Sequence, residues 1–212
     1  SGLIALVNGT IDTRRKLSCV SRPRRFGKST AAQMLCAYYD KTCDSSGLFD
    51  DLAISSDPSY KEHLNRYDVI YLDMTSIIEQ NRTRERLADF IERLLTEELL
   101  ESYPAIEPGI TFQMTLDRAV KINGNKFIVI IDEWDSMIRD SASTGEEQKE
   151  YLEFLRMLFK SSGTTDKIFA AAYMTGILPV KKDGSQSAIS EFKEYSMIAP
   201  KEFTPYVGFL ES

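Results

Sequence analysis

The chain has 212 residues, of which 42% are hydrophobic and 27% charged, enough apolar material for a substantial core and an ordinary balance for a soluble globular protein. A formal net charge of −6 argues against a generally basic nucleic-acid-binding surface, though not against a local basic patch. Three cysteines without metal-ligand spacing, no basic-then-apolar leader pattern and no apolar run near the roughly 20 residues that span a bilayer predict free thiols in a cytoplasmic protein without a membrane segment.

The first apolar run, residues 17–20 (LSCV), predicts a strand, and helix-forming residues at 28–40 follow it. Between them lies SRPRRFGKST at 21–30. Strand, loop and helix in that order are the context of a phosphate-binding loop, and Gly27-Lys28-Ser29 is the tail of its G-x-x-x-x-G-K-[ST] pattern. Backbone N–H groups at the helix start point at an anion there, and the helix dipole favours negative charge. Lys28 can reach β- and γ-phosphates, and the Ser29 hydroxyl can ligate Mg²⁺. The pattern is incomplete. Arg22 stands where its first glycine belongs, and Pro23 has no N–H to give. The guanidinium forks of Arg22, Arg24 and Arg25 suit phosphate oxygens and would offset the missing donor. On these ten residues alone, a basic turn capping a helix is an equally good account.

Residues 45–60, rich in Ser, Asp, Gly and Pro, read as a surface connection with a short helical piece at its end. His63 is the only histidine. It reads as a solvated helix residue, with nothing nearby to support Ser-His-Asp or Cys-His catalysis. Residues 69–73 predict a second strand. Asp73 at its end is either a site residue or a helix cap or turn. Residues 84–103 carry apolar side chains at Leu87, Phe90, Ile91, Leu94, Leu95 and Leu99, which is helical spacing, and Pro104 stops the helix. A shorter helix is predicted at 111–122, with Asn123-Gly124 turning the chain.

Residues 127–131 (FIVII) run without a polar break into Asp132-Glu133. Such a run predicts a strand covered on both faces, with its acids at the C-terminal end, where open α/β sheets place ligands. Asp132 would then hold Mg²⁺ through water, and Glu133 would orient or deprotonate an attacking water. The plain alternative is a buried strand ending in two solvated acids. Trp134, the only tryptophan, is expected to pack. An amphipathic helix at 146–160, with Gly163 just past it, and an apolar strand at 168–175 follow, then an exposed loop at 181–184 (KKDG). Alternating strands and helices predict an α/β fold with a mostly parallel sheet.

Three separated blocks agree in order with one family. SRPRRFGKST at 21–30, FIVIIDEWD at 127–135 and AYMTGILPVKKDGSQSAISEF at 172–192, with EYSM at 194–197, resemble the bacterial and archaeal AAA-ATPase-like proteins, a P-loop group related to the AAA+ and STAND ATPases. The arginine-bearing loop without its first glycine is usual for that family. The resemblance implies a three-layer α/β/α P-loop NTPase domain over residues 1–212, with strand order 5-1-4-3-2 and a fifth strand near 194–198. It implies ATP and Mg²⁺ as ligands. Arg24, Arg25, Phe26, Gly27, Lys28, Ser29 and Thr30 would contact the nucleotide, and Ser29 and Asp132 the metal. Catalysis would fall to Glu133 and Lys28, with Thr175 as a sensor between the acids and the γ-phosphate. The implied activity is ATP hydrolysis that drives a conformational change in an attached or partner domain. The alternative is a low-turnover, nucleotide-dependent switch or scaffold. Members often carry a C-terminal region, in many cases a PD-(D/E)xK nuclease-like domain, and a nuclease-like or sensor domain beyond Ser212 is the expected partner. No nuclease activity is assigned to the residues present. Direct nucleic-acid binding, oligomeric state, the role of residues 176–190 and the choice of arginine finger among Arg139, Arg156 and the other arginines stay open.

Overall fold

The computed structural model describes residues 1–81, 85–160, 165–180, 189 and 191–196. In chain order the elements are α1 (Gly2–Asn8), β1 (Leu17–Ser21), α2 (Lys28–Tyr39), α3 (Ser46–Phe49), a 3₁₀ turn (Ala53–Ser56), α4 (Tyr60–His63), β2 (Asp68–Asp73), α5 (Met74–Gln80) and α6 (Leu87–Ser102). They continue with α7 (Phe112–Asn123), β3 (Phe127–Asp132), α8 (Ser136–Arg139), α9 (Gly145–Phe159), α10 (Thr165–Ile168), β4 (Phe169–Gly176) and β5 (Lys193–Tyr195). All the strand pairs are parallel, in the order β2-β3-β4-β1-β5, which is the expected 5-1-4-3-2 read from the other edge.

The sheet is covered on both faces, and the strand sequences show why. Successive strand side chains alternate between faces. Phe127, Val129 and Ile131 pack with Ile91, Leu95, Leu116 and Leu155 of α6, α7 and α9. Ile128 and Ile130 pack with Ile4, Leu35 and Tyr38 of α1 and α2. Every residue of β3 is buried, so no polar side chain interrupts it before Asp132. Each large apolar side chain buried in this way contributes about 1.5–3 kcal/mol.

Local signals set the helix ends that matter here. The Thr111 side chain caps α7, whose C-cap Gly124 takes the left-handed conformation that glycine allows. Thr144 and Glu147 close a reciprocal capping box at the start of α9. Asp73 caps α5 by accepting from the Thr75 and Ser76 N–H groups at 3.0 and 3.2 Å.

The fold differs from the sequence expectation in three places. Helices α1, α5, α8 and α10 have no counterpart in it, because four to seven residues are too few for a 3.6-residue period to stand out. The stretch at 45–60 is not a plain surface connection. Its short turns bury Phe49, Ile54 and Tyr60 in the core beside α2, and those three side chains outweigh the polar composition around them. His63 is buried rather than solvated. Its Nδ1 shares a 2.8 Å hydrogen bond with the Tyr67 hydroxyl, and burial lowers its pKa. Strand β5 lies over residues 193–195, overlapping the start of the expected 194–198; residues 197–198 and the predicted loop at 181–184 fall outside the described residues.

The ends of β1, β3 and β4 are brought together by register. Ser21 of β1 pairs with Gly176 of β4, and Ile131 of β3 pairs with Met174 of β4. Gly176 packs so closely under Trp134 that a Cβ would stand 2.5 Å from the indole Nε1 and 2.8 Å from Asp135 Oδ1. Trp134 is 3% exposed and has nowhere to retreat. Gly176→Ala is therefore expected to lower unfolding free energy by about 1–3 kcal/mol in urea titration, the usual cost of overpacking. An unchanged midpoint would show that this contact is slack.

Candidate functional site

The loop between β1 and α2 ends in Gly27, which has φ 71° and stands at the N-cap of α2. This left-handed conformation suits glycine, and nothing lies within 4 Å of where its Cβ would be. No side chain caps α2, so its first N–H groups stay available to an anion at the start of a 12-residue helix. Arg25 also has a positive φ, at 69°, which sharpens the turn. Arg24 and Arg25 are exposed, whereas Arg22 is turned inward. Only 3% of Arg22 is accessible, its N–H donates to the Gly176 carbonyl at 2.9 Å, and burial lowers its pKa. Of the three loop arginines, Arg22 thus belongs to the scaffold.

Lys28 is 4% exposed. Its ammonium donates to the Pro23 carbonyl at 2.9 Å and lies 3.6 Å from Glu133 Oε1. The loop that lost an N–H at Pro23 thus uses the same residue's carbonyl to hold the lysine.

Asp132 ends β3 with 3% exposure. Its Oδ1 accepts from the Thr175 hydroxyl and, at 3.1 Å, from the Glu133 N–H. Among the described residues no hydrogen bond reaches its Oδ2. Thr175 is fully buried, and its carbonyl accepts the Trp134 N–H at 2.9 Å. Glu133 sits at φ 52°, uncommon for a side-chain-bearing residue and held here by these bonds from β4. Its carboxylate is paired with Arg139 as well as with Lys28. Arg139 in turn donates through Nε to Asp135 Oδ2 at 2.9 Å.

Glu133 and Arg139 border a cavity of about 760 Å³ lined by Arg24, Arg25, Gly27, Lys28, Ser29 and Thr30 from the loop side. Glu133, Ser136, Arg139 and Asp140 line it after β3, and Thr75, Ile78 and Glu79 from α5. The volume is within the range of small-molecule sites. Of the residues expected to touch a nucleotide, Phe26 does not line the cavity. Asp132 and Thr175 sit behind Glu133 rather than on the wall. Trp134 is buried, with its carbonyl accepting from the Tyr151 hydroxyl at 2.8 Å, as its packing role requires. Arg139 was singled out in the sequence only as one of several arginines. Its signal was the i,i+4 spacing from Asp135, which places opposite charges on one helical face.

A family model described as a predicted AAA-ATPase matches residues 6–185, most of the chain. The chain belongs to the AAA-ATPase-like family. No curated protein matches it. The lysine-bearing loop and the acids lie at the C-terminal ends of parallel strands, where open α/β sheets bind their ligands. No helix among the described residues is long and apolar enough to cross a membrane. Among the same residues no cluster of three or more His, Cys, Asp or Glu side chains is arranged to hold a metal.

Asp73 is separated from this chemistry by its cap. Both its oxygens are spent on Thr75 and Ser76, and it does not line the cavity. Asp73→Ala is expected to cost about 1 kcal/mol of stability, as for other lost caps, and to leave nucleotide affinity unchanged. A loss of affinity in titration calorimetry without a loss of stability would return Asp73 to the site.

Proposed function

We propose that this AAA-ATPase-like chain binds ATP with Mg²⁺ in the cavity beside Lys28 and hydrolyses it to ADP and phosphate. The released binding energy would move an attached or partner domain. The observation that carries the reading is the position of Lys28: a nearly buried ammonium held by a loop carbonyl at 2.9 Å and facing Glu133 at 3.6 Å, on the wall of a cavity lined by the α2 N-terminus. A buried cation held by so few partners is suited to exchange them for phosphate oxygens.

The residues fit the ligands that the family brings. Ser29 offers an exposed hydroxyl on the cavity wall, and Asp132 keeps one oxygen without a hydrogen bond from the described residues. Mg²⁺ typically takes one or two carboxylates beside phosphate oxygens, so Ser29 and, through water, Asp132 would hold it. Bound there, the ion supplies positive charge to the β- and γ-phosphate oxygens. Gly27, Lys28, Ser29 and Thr30 provide the phosphate cradle, with Arg24 and Arg25 on its outer wall. Glu133 accepts a proton from water as the water oxygen attacks the γ-phosphorus and the bond to the ADP oxygen breaks. Lys28 faces the charge that develops between the phosphates. Thr175, bonded to Asp132 and to the Glu133 N–H, links the two acids and would sense the γ-phosphate. Burial pushes the Cys19 thiol up strongly and that of Cys36 up to about 12, so neither of these two offers a ready thiolate. The three free thiols agree with a reducing, cytoplasmic setting.

A second reading, a low-turnover nucleotide switch, is favoured by Pro23, which removes one N–H from the cradle. Nucleotide binding and phosphate release measured side by side separate the two. Lys28→Ala is expected to weaken ATP binding by at least about tenfold, because a charge-assisted bond contributes about 1.5–3 kcal/mol. Glu133→Gln is expected to preserve binding and slow release of phosphate by at least about tenfold. Equal affinities in the first pair would sink the phosphate-loop reading. Tight binding without turnover in the unaltered protein would select the switch.

A further inference from the structure

We propose that Arg139 is a positioning residue for Glu133, a role that rests on the hydrolytic reading above. Glu133 is held by two cations of different character. Lys28 opens α2 and is the group that phosphate would recruit. Arg139 is anchored elsewhere: its Nε donates to Asp135 Oδ2 at 2.9 Å, and one amino group pairs with Glu133 and lies 3.3 Å from Ser136 Oγ. Asp135 is fully buried and cannot follow a ligand, because the same oxygen also accepts the Ile177 and Leu178 N–H groups at 3.1 and 2.8 Å. The guanidinium is therefore fixed at its base and holds Glu133 with its tip.

This arrangement matters when polyphosphate enters. Lys28 turns to the phosphates, and the Glu133 carboxylate then faces like charge across the cavity. The other acids on the wall, Glu79 and Asp140, cannot steady it, and Arg24 and Arg25 lie on the loop side with the phosphates. Among the described residues of the wall, Arg139 is the side-chain cation left beside Glu133. A planar fork can span two carboxylates, which a lysine ammonium at the same place would do poorly. Because Asp135 also holds the N–H groups just past β4, the same guanidinium connects the hydrolytic carboxylate with the segment at 177–178.

The test compares single-turnover hydrolysis and affinity for a non-hydrolysable ATP analogue with Mg²⁺ in the unaltered chain and four variants: R139A, R139K, E133Q and the R139A/E133Q pair. R139A is expected to lose about tenfold or more in rate, with affinity within about threefold, since misplacing a catalytic group costs rate rather than binding. In the E133Q background R139A should cost less than about a further twofold, the mark of one residue acting through another. R139K keeps the cation, guards against a folding failure in R139A, and is expected to restore only part of the rate. A readout independent of turnover is the Arg139 Nη–H resonance of the nucleotide-free protein, from the amino group that pairs with Glu133, assigned by its loss in R139K, which should shift in E133Q. A full rate in R139A with a slowed E133Q would overturn this role alone. So would equal losses from R139A in both backgrounds, or a fall in affinity like that of Lys28→Ala. An unmoved resonance would deny the contact. A full rate in E133Q would overturn the hydrolytic reading and this role together.

Discussion

A nearly buried ammonium organises this end of the molecule. Removing Lys28 from water would cost several kcal/mol if it stood alone. The loop carbonyl of Pro23 and the carboxylate of Glu133 meet that cost, and each has to be delivered from a different part of the sheet. Strand β1 delivers the loop, β3 the carboxylate, and β4, lying between them, the hydroxyl and carbonyl of Thr175 that hold the acid-bearing turn. The parallel order is what makes this convergence possible, because all three strands finish at the same edge.

The turn after β3 is built to keep its acids distinct. Asp132 is locked from behind by Thr175, with one oxygen committed. Glu133 is pushed into a left-handed backbone and toward the cavity, where two cations balance it. Asp135 is withdrawn completely and serves as an anchor for Arg139 and for the chain beyond β4. Three carboxylates within four residues thus have three environments. The constraint extends to Gly176, where a single methyl group would collide with Trp134 and Asp135. Strain at Glu133 persists because the surrounding bonds over-determine it.

Much of the fold was legible in one dimension because its signals are local. The unbroken FIVII run announced a doubly covered strand, helical spacing from Leu87 to Leu99 announced α6, and the strand-loop-helix context marked the Gly27-Lys28-Ser29 loop. The strand order came from the family likeness and not from periodicity. What stayed hidden is long-range. The hydroxyl of Thr175 reaches Asp132 across 43 positions, and no spacing rule encodes that. Arg22 looked like one more phosphate arginine until its side chain proved to be buried. His63 sat in a polar stretch, yet packing against Tyr67 buries it. Arg139 had the right spacing from Asp135, but only the tertiary contact with Glu133 brings it into the site.

The central claim is that Lys28 exchanges its loop partners for phosphate. A crystal structure with a non-hydrolysable ATP analogue and Mg²⁺ tests it most directly. The expected result is a triphosphate over the α2 N-terminus, with Lys28 Nζ about 2.7–2.9 Å from a β- or γ-phosphate oxygen and the Pro23 carbonyl released. A nucleotide bound away from this cavity, or a Lys28 still donating to Pro23 beside bound nucleotide, would contradict the account.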